Sequence, residues 1–102
     1  MNAVEQDVRV LVDKELAAAN ERFPQFHSAH EGWAVIQEEI EECGYELTAI
    51  YEEQKRTWDA ICGNGDPRDY VFVMMAYAKN LACEAIQFAA MCRKFMEMGG
   101  KQ

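Results

Sequence analysis

Apolar residues recur along most of the chain at three- and four-residue spacing, the period of a helix with one buried face. Val4, Val8, Leu11, Val12 and Leu16 predict a first, shorter helix over about 3–20. A much longer one is predicted over about 29–61, where Ile36, Ile40, Cys43, Leu47, Ile50, Tyr51, Trp58 and Ile61 form the stripe. Val73, Tyr77, Leu81, Phe88, Met91 and Phe95 predict a third over about 67–98. No segment alternates apolar and polar residues with strand period, and none repeats. The expected fold is therefore all-α: one domain over 1–102, a helical bundle of two long helices and a shorter N-terminal one.

The breaks between these elements are chemically marked. Residues 21–29 contain Pro24 with Phe23 and Phe26, the composition of a connection held down by its aromatics. Ser28 with Glu31 three residues on reads as a capping box opening the second helix. Gly63-Asn64-Gly65-Asp66-Pro67 stops it, because glycine and asparagine tolerate backbone angles that other residues avoid and proline cannot continue a helix. Asp66 or Asp69 is placed to cap the third helix. Gly99-Gly100 should end it, leaving Lys101-Gln102 frayed. Gly44 interrupts the second helix at a cost of about 1 kcal/mol in an exposed position, unless it admits a close helix neighbour.

Composition adds a constraint. Half of the 102 residues are hydrophobic and 27% are charged. A single core of this size cannot cover such long apolar stripes, so completion by dimerisation, as a homodimer or a dimer of dimers (homotetramer), is expected. The net charge of −8 and pI near 4.7 argue against nucleic acid as a partner, since phosphate backbones are bound by basic surfaces. A divalent cation can still bring an acidic protein to a phosphate. Cys43, Cys62, Cys83 and Cys92 form no paired metal-ligand or redox spacing and read as reduced thiols. With no signal-like start and no run of ~20 apolar residues, a cytoplasmic protein without membrane contact is expected.

The acidic run Glu38-Glu39-Ile40-Glu41-Glu42 divides on a helical wheel. Ile36, Ile40, Leu47 and Trp58 are expected to point into the core. Glu39, Glu42 and Glu46 flank them, with Glu53 continuing the line, while Glu38, Glu41 and Glu52 turn to solvent. Carboxylates at such spacing repel one another unless a cation lies between them, and hard oxygen ligands suit magnesium or manganese. A glutamate run is more often a solvated face. Glu84 changes the balance, since it falls in the middle of the third helix's apolar stripe, between Leu81 and Phe88. A carboxylate there requires a partner, either a salt bridge or a metal shared with the second helix. His27 and His30 lack further ligands for zinc, and no phosphate-cradling glycine loop or nucleophile–base pair is present.

These residues resemble a known family. The stretch from His30 to Glu42, with Glu84-Ala85-Ile86-Gln87 after it, is similar to the MazG-like branch of the all-α nucleoside triphosphate pyrophosphohydrolases, over most of residues 26–97. Glu38, Glu39 and Glu42 match that family's E-E-x-x-E segment, and Glu84 matches the first position of its E-x-x-D. The resemblance implies a magnesium-dependent enzyme, with manganese as a substitute, that cleaves a nucleoside triphosphate to monophosphate and pyrophosphate. This is the housekeeping or phage-encoded type of hydrolase. Glu39, Glu42 and Glu84 would ligate the metal, and Glu38, Glu39 and Glu42 would form the catalytic segment, with Glu38 or Glu46 as base. Gln87 would bond a metal-bound water, and Lys79, Arg93 or Lys94 would reach phosphate oxygens. Trp33, Tyr77 or Phe88 would stack the base if they are not simply core. Two departures accompany the match: Gln87 replaces the family aspartate, and the gap between motifs is long. They leave as alternative a catalytically weak or inactive relative, acting as a nucleotide-binding or protein-interaction module.

Overall fold

The structure, a computed structural model, describes residues 3–99. Gly100 and the Lys101-Gln102 tail, expected to close and fray the last helix, lie outside the described residues. Three helices account for most of the chain: α1 (Glu5–Arg22), α2 (Ala29–Cys62) and α3 (Arg68–Met96). No strand is present among the described residues.

Local chemistry sets the ends. The Ser28 hydroxyl accepts the Glu31 backbone N–H at 3.1 Å. The Glu31 carboxylate reaches one residue past the expected capping-box partner: it accepts the His27 backbone N–H at 3.3 Å and contacts His27 Nδ1 at 3.0 Å. At the far end of α2, Gly65 N–H donates to the Ala60 carbonyl (2.8 Å) and Asn64 N–H to that of Ile61 (3.1 Å). Asn64 takes the left-handed conformation, φ 60°, that this closing motif needs and asparagine tolerates. The Asp66 carboxylate accepts the Arg68 N–H at 3.0 Å, capping the first turn of α3.

α2 and α3 form a long antiparallel hairpin, and α1 packs on α3 without packing on α2. The buried cluster joins Val12 and Leu16 of α1 to Ala90 of α3, with Ile86, Ala89 and Met91 around it. Burial of a Val or Leu side chain contributes about 1.5–3 kcal/mol. The Arg93–Asp13 ion pair and a hydrogen bond from the Gln25 amide to the Lys94 carbonyl (2.9 Å) fasten the same end. There, too, α2 meets α3 at Gly32, where a Cβ would lie 2.5 Å from the Phe95 ring and 3.0 Å from that of Phe26. The expected close-approach glycine, Gly44, instead faces open space.

The largest correction concerns the face α2 turns to α3. The buried and half-buried positions of α2 run through Ile36, Glu39, Cys43, Glu46, Ile50, Glu53 and Thr57, two interleaved seven-residue series, one mostly apolar and one of glutamates. Of the expected core stripe, Ile40, Leu47, Tyr51, Trp58 and Ile61 are exposed, Trp58 by 63%. The apolar arc of α2 is wider than one neighbour covers, and α3 lies on its acidic edge. On α3 the stripe is half-buried from Tyr77 to Phe95, and only Val73 is exposed. Among the described residues no large side chain is fully buried. The molecule measures 59 × 28 × 23 Å with a radius of gyration of 17.6 Å, against about 13 Å for a compact chain of this length.

Gly32→Ala should lower stability by about 1–3 kcal/mol through overpacking against the two phenylalanine rings. Chemical denaturation of the variant beside the wild-type protein measures it, and an unchanged midpoint would show that Phe95 yields freely.

Candidate metal centre

Three carboxylates converge across the hairpin. Glu39 and Glu42 lie one turn apart on α2, Glu84 faces them from α3, and each places an oxygen within 4.8 Å of the other two. All three are half-buried. One oxygen each of Glu39, Glu84 and the neighbouring Glu46 is out of solvent with no hydrogen-bond partner among the described residues. Glu53, next along the same face, is buried but held by Arg56 at 2.5 Å. Glu38, Glu41 and Glu52 are exposed, the solvated face expected of a glutamate run.

The crowding is registered in the protonation equilibria. The Glu39 carboxyl is pushed from its ordinary 4.5 up to about 7, first by burial and then by the charges of Glu42, Glu84 and Glu38. Glu84 is also raised, principally because its proton is shared with the Glu42 carboxylate, then by burial and by the charges of Glu42 and Glu46. The Cys43 thiol beside them is raised by burial and by the same glutamates, so it is held as a neutral thiol. All four cysteines are free.

This donor set fits a small hard cation. Neighbouring ligands of one magnesium stand about 3 Å apart and opposite ones about 4.2 Å, so closing the trio on one ion requires side-chain shifts of about 1 Å. The orphaned oxygens are the acceptors such an ion would satisfy, and its charge would reverse the repulsion that raises Glu39 and Glu84.

Beside the carboxylates lies a cavity of about 650 Å³, the gap left because α1 and α2 both rest on α3 without meeting. Its apolar walls include Phe23, Phe26, Val35 and Met91, while Glu38, Glu39, Gln87 and Lys94 bring polar groups to it. Among the residues singled out from sequence, Glu38, Gln87 and Lys94 thus border the same cavity as Glu39, while Glu42 and Glu84 do not border it. Lys79 is exposed and does not border the cavity. Trp33 is exposed, Tyr77 and Phe88 are half-buried, and none of the three borders it. Arg93 is engaged with Asp13, and His27 with Glu31. Spacing alone did not single out Phe23 and Phe26 as cavity walls. Their place beside Pro24 in the connection was the only signal, and it indicated packing. Glu46, which spacing places on the flank of the stripe, acts directly on Glu84 through its charge.

No protein-family model, curated protein or solved structure matches the chain. No helix among the described residues is long and apolar enough to cross a membrane.

A carboxyl with a raised pKa keeps its proton in the folded state after the unfolded state has released it. Its contribution therefore disfavours folding progressively as pH rises from about 4.5 to about 7, and is constant above that. In EDTA, the melting temperature should fall over this window, and Glu39→Gln should flatten the fall. A variant profile parallel to that of the wild type would contradict the assignment. Magnesium binding near pH 6.5 should release protons, which calorimetry in buffers of different ionisation enthalpy detects.

Proposed function

We propose that this chain is a magnesium- or manganese-dependent nucleoside triphosphate pyrophosphohydrolase, converting a triphosphate and water into a monophosphate and pyrophosphate. The observation that carries the reading is the convergence of Glu39, Glu42 and Glu84, with orphaned oxygens on Glu39 and Glu84, beside a cavity large enough for a nucleoside that Glu39 borders. The resemblance of the two glutamate motifs to the MazG-like enzymes supports the same reaction class.

Glu39, Glu42 and Glu84 hold the cation. Held there, a divalent cation would supply charge neutralisation for the triphosphate and a lowered pKa for a bound water. Glu38, exposed at the cavity edge beside Glu39, accepts the proton of the attacking water. Gln87 offers only a neutral oxygen and an amide donor, so it orients a neighbouring ligand without adding charge. Lys94 supplies a positive charge within the cavity, and the apolar walls exclude water from the nucleoside. Lys79, on the outer face, has no role in this scheme.

The enzyme works as a homo-oligomer, dimer or tetramer. Ile40, Leu47, Tyr51, Trp58 and Ile61 of α2 are exposed, as are Val71, Phe72 and Val73 of α3, and Gly44 leaves a flat place in the outward row of α2. A second copy covering this face would bury the ~800 Å² per partner that a stable interface requires. Its location is the cytoplasm, consistent with four unpaired cysteines. A second reading rests on Gln87: with one charged ligand fewer than the family pattern, the chain would bind nucleotide or a protein partner without turnover.

Pyrophosphate release across ribo- and deoxynucleoside triphosphates with magnesium should show turnover, reduced by at least about 100-fold in Glu84→Gln, as expected for losing a metal ligand. Magnesium that raises the melting temperature with no turnover of any triphosphate would favour the second reading. Absence of both effects would remove the metal centre altogether. Light scattering should give a multiple of 11.7 kDa, reduced by Trp58→Glu combined with Leu47→Glu. A wild-type monomer at micromolar concentration would refute the oligomer.

A further inference from the structure

Lys94 is exceptional among the charged residues. Only 3% of it is exposed, yet no carboxylate among the described residues lies within ion-pair distance of it. Lysine is rarely so buried without a partner. Its ammonium stands 5.1 Å from the centroid of the Phe26 ring, a cation–π contact that steadies the charge but accepts none of its N–H donors in a normal hydrogen bond. Its charge reaches Glu31, but that carboxylate is committed to His27. The residue borders the cavity beside the metal centre.

Its place along α3 indicates what it meets there. Glu84, Gln87, Met91 and Lys94 follow one another at spacings of three, four and three, and so share one face. At 1.5 Å per residue, Lys94 stands about 15 Å along the helix axis from Glu84. A nucleotide whose phosphates are held at the carboxylate end would lie along this face, its sugar near Gln87 and Met91 and its base at Lys94. A second anion is a poor occupant, because Glu15, Glu31, Glu38 and Glu39 also border the cavity, against Arg22 and Lys94. A neutral acceptor meets no such repulsion.

We infer that Lys94 determines base specificity: its ammonium donates to the carbonyl oxygen at C4 of a pyrimidine or C6 of a purine. It thereby selects keto bases (uracil, thymine, guanine or hypoxanthine) over the amino bases cytosine and adenine. This rests on the reading that the cavity receives the nucleoside. An ammonium has three donors and no acceptor, so an amino group in that position sets donor against donor, where a carbonyl oxygen accepts.

Uridine against cytidine and inosine against adenosine are pairs differing at this position, and being uncharged they are measured without metal, by NMR titration in EDTA. The wild type should bind uridine and inosine at least about 10-fold more tightly than their amino counterparts, the loss expected for one hydrogen bond. Lys94→Met, similar in length and without donors, should abolish the difference, and Glu84→Gln should preserve it. If Lys94→Met does not fold, Lys94→Gln, which both donates and accepts, should level the pairs in its place. Equal binding within each pair, preference surviving in the Lys94 variant, tighter binding of inorganic phosphate than of uridine, or no nucleoside binding would each overturn the inference. A keto preference without pyrophosphate release would leave it standing and refute the hydrolase reading alone.

Discussion

The structure depends on α2 turning an acidic edge toward α3. Glu39, Glu46 and Glu53 occupy every seventh position of that seam, alternating with Ile36, Cys43 and Ile50, so the hairpin cannot close without drawing carboxylates out of water. Each needs compensation. Glu53 has Arg56. Among the described residues Glu39 and Glu84 have one another, Glu42 and Glu46, and the carboxyl pKa of each is raised above its ordinary value. Such a cluster opposes folding when alone and favours it when a divalent cation is shared among its members, which couples stability to ligand binding.

The same packing choice governs the outer surface. With α3 on the acidic edge, the more apolar row of α2 faces outward along a hairpin reaching well past the small core at the α1 end. An exposed row of this length is characteristic of an association surface. The acidic seam and the outward apolar row are two consequences of one rotation of α2 about its axis. The proposed metal centre and the proposed oligomer therefore have a common origin.

α1 supplies two of the three residues of the buried core cluster, Val12 and Leu16, and it also shapes the cavity. Resting on α3 and standing clear of α2, it leaves a cavity floored by α3 and closed at one end by the Phe23–Phe26 connection. Gly32 allows that end to draw tight, since Phe26 and Phe95 occupy the space a side chain would need. Lys94 is enclosed there, its carbonyl held by Gln25 and its ammonium over Phe26. Gln87, Met91 and Lys94 thereby face the cavity along one side of α3.

The sequence by itself determined the helices, their breaks and the acidic character of one α2 flank, because helical period and turn chemistry are local properties. It also marked Glu84 as a charge in an apolar stripe. It placed Ile40, Leu47 and Trp58 in the core and left Phe23, Phe26 and Lys94 without a common location. A helical wheel gives the angular order of residues around an axis, but not which arc a neighbour will cover. When an apolar arc is wider than one helix, that choice is made where the two helices meet, as at Gly32 of α2 against Phe95 of α3. Only the tertiary structure decided that Glu39, Glu42 and Glu84 meet, and that a lysine is buried in the cavity beside them.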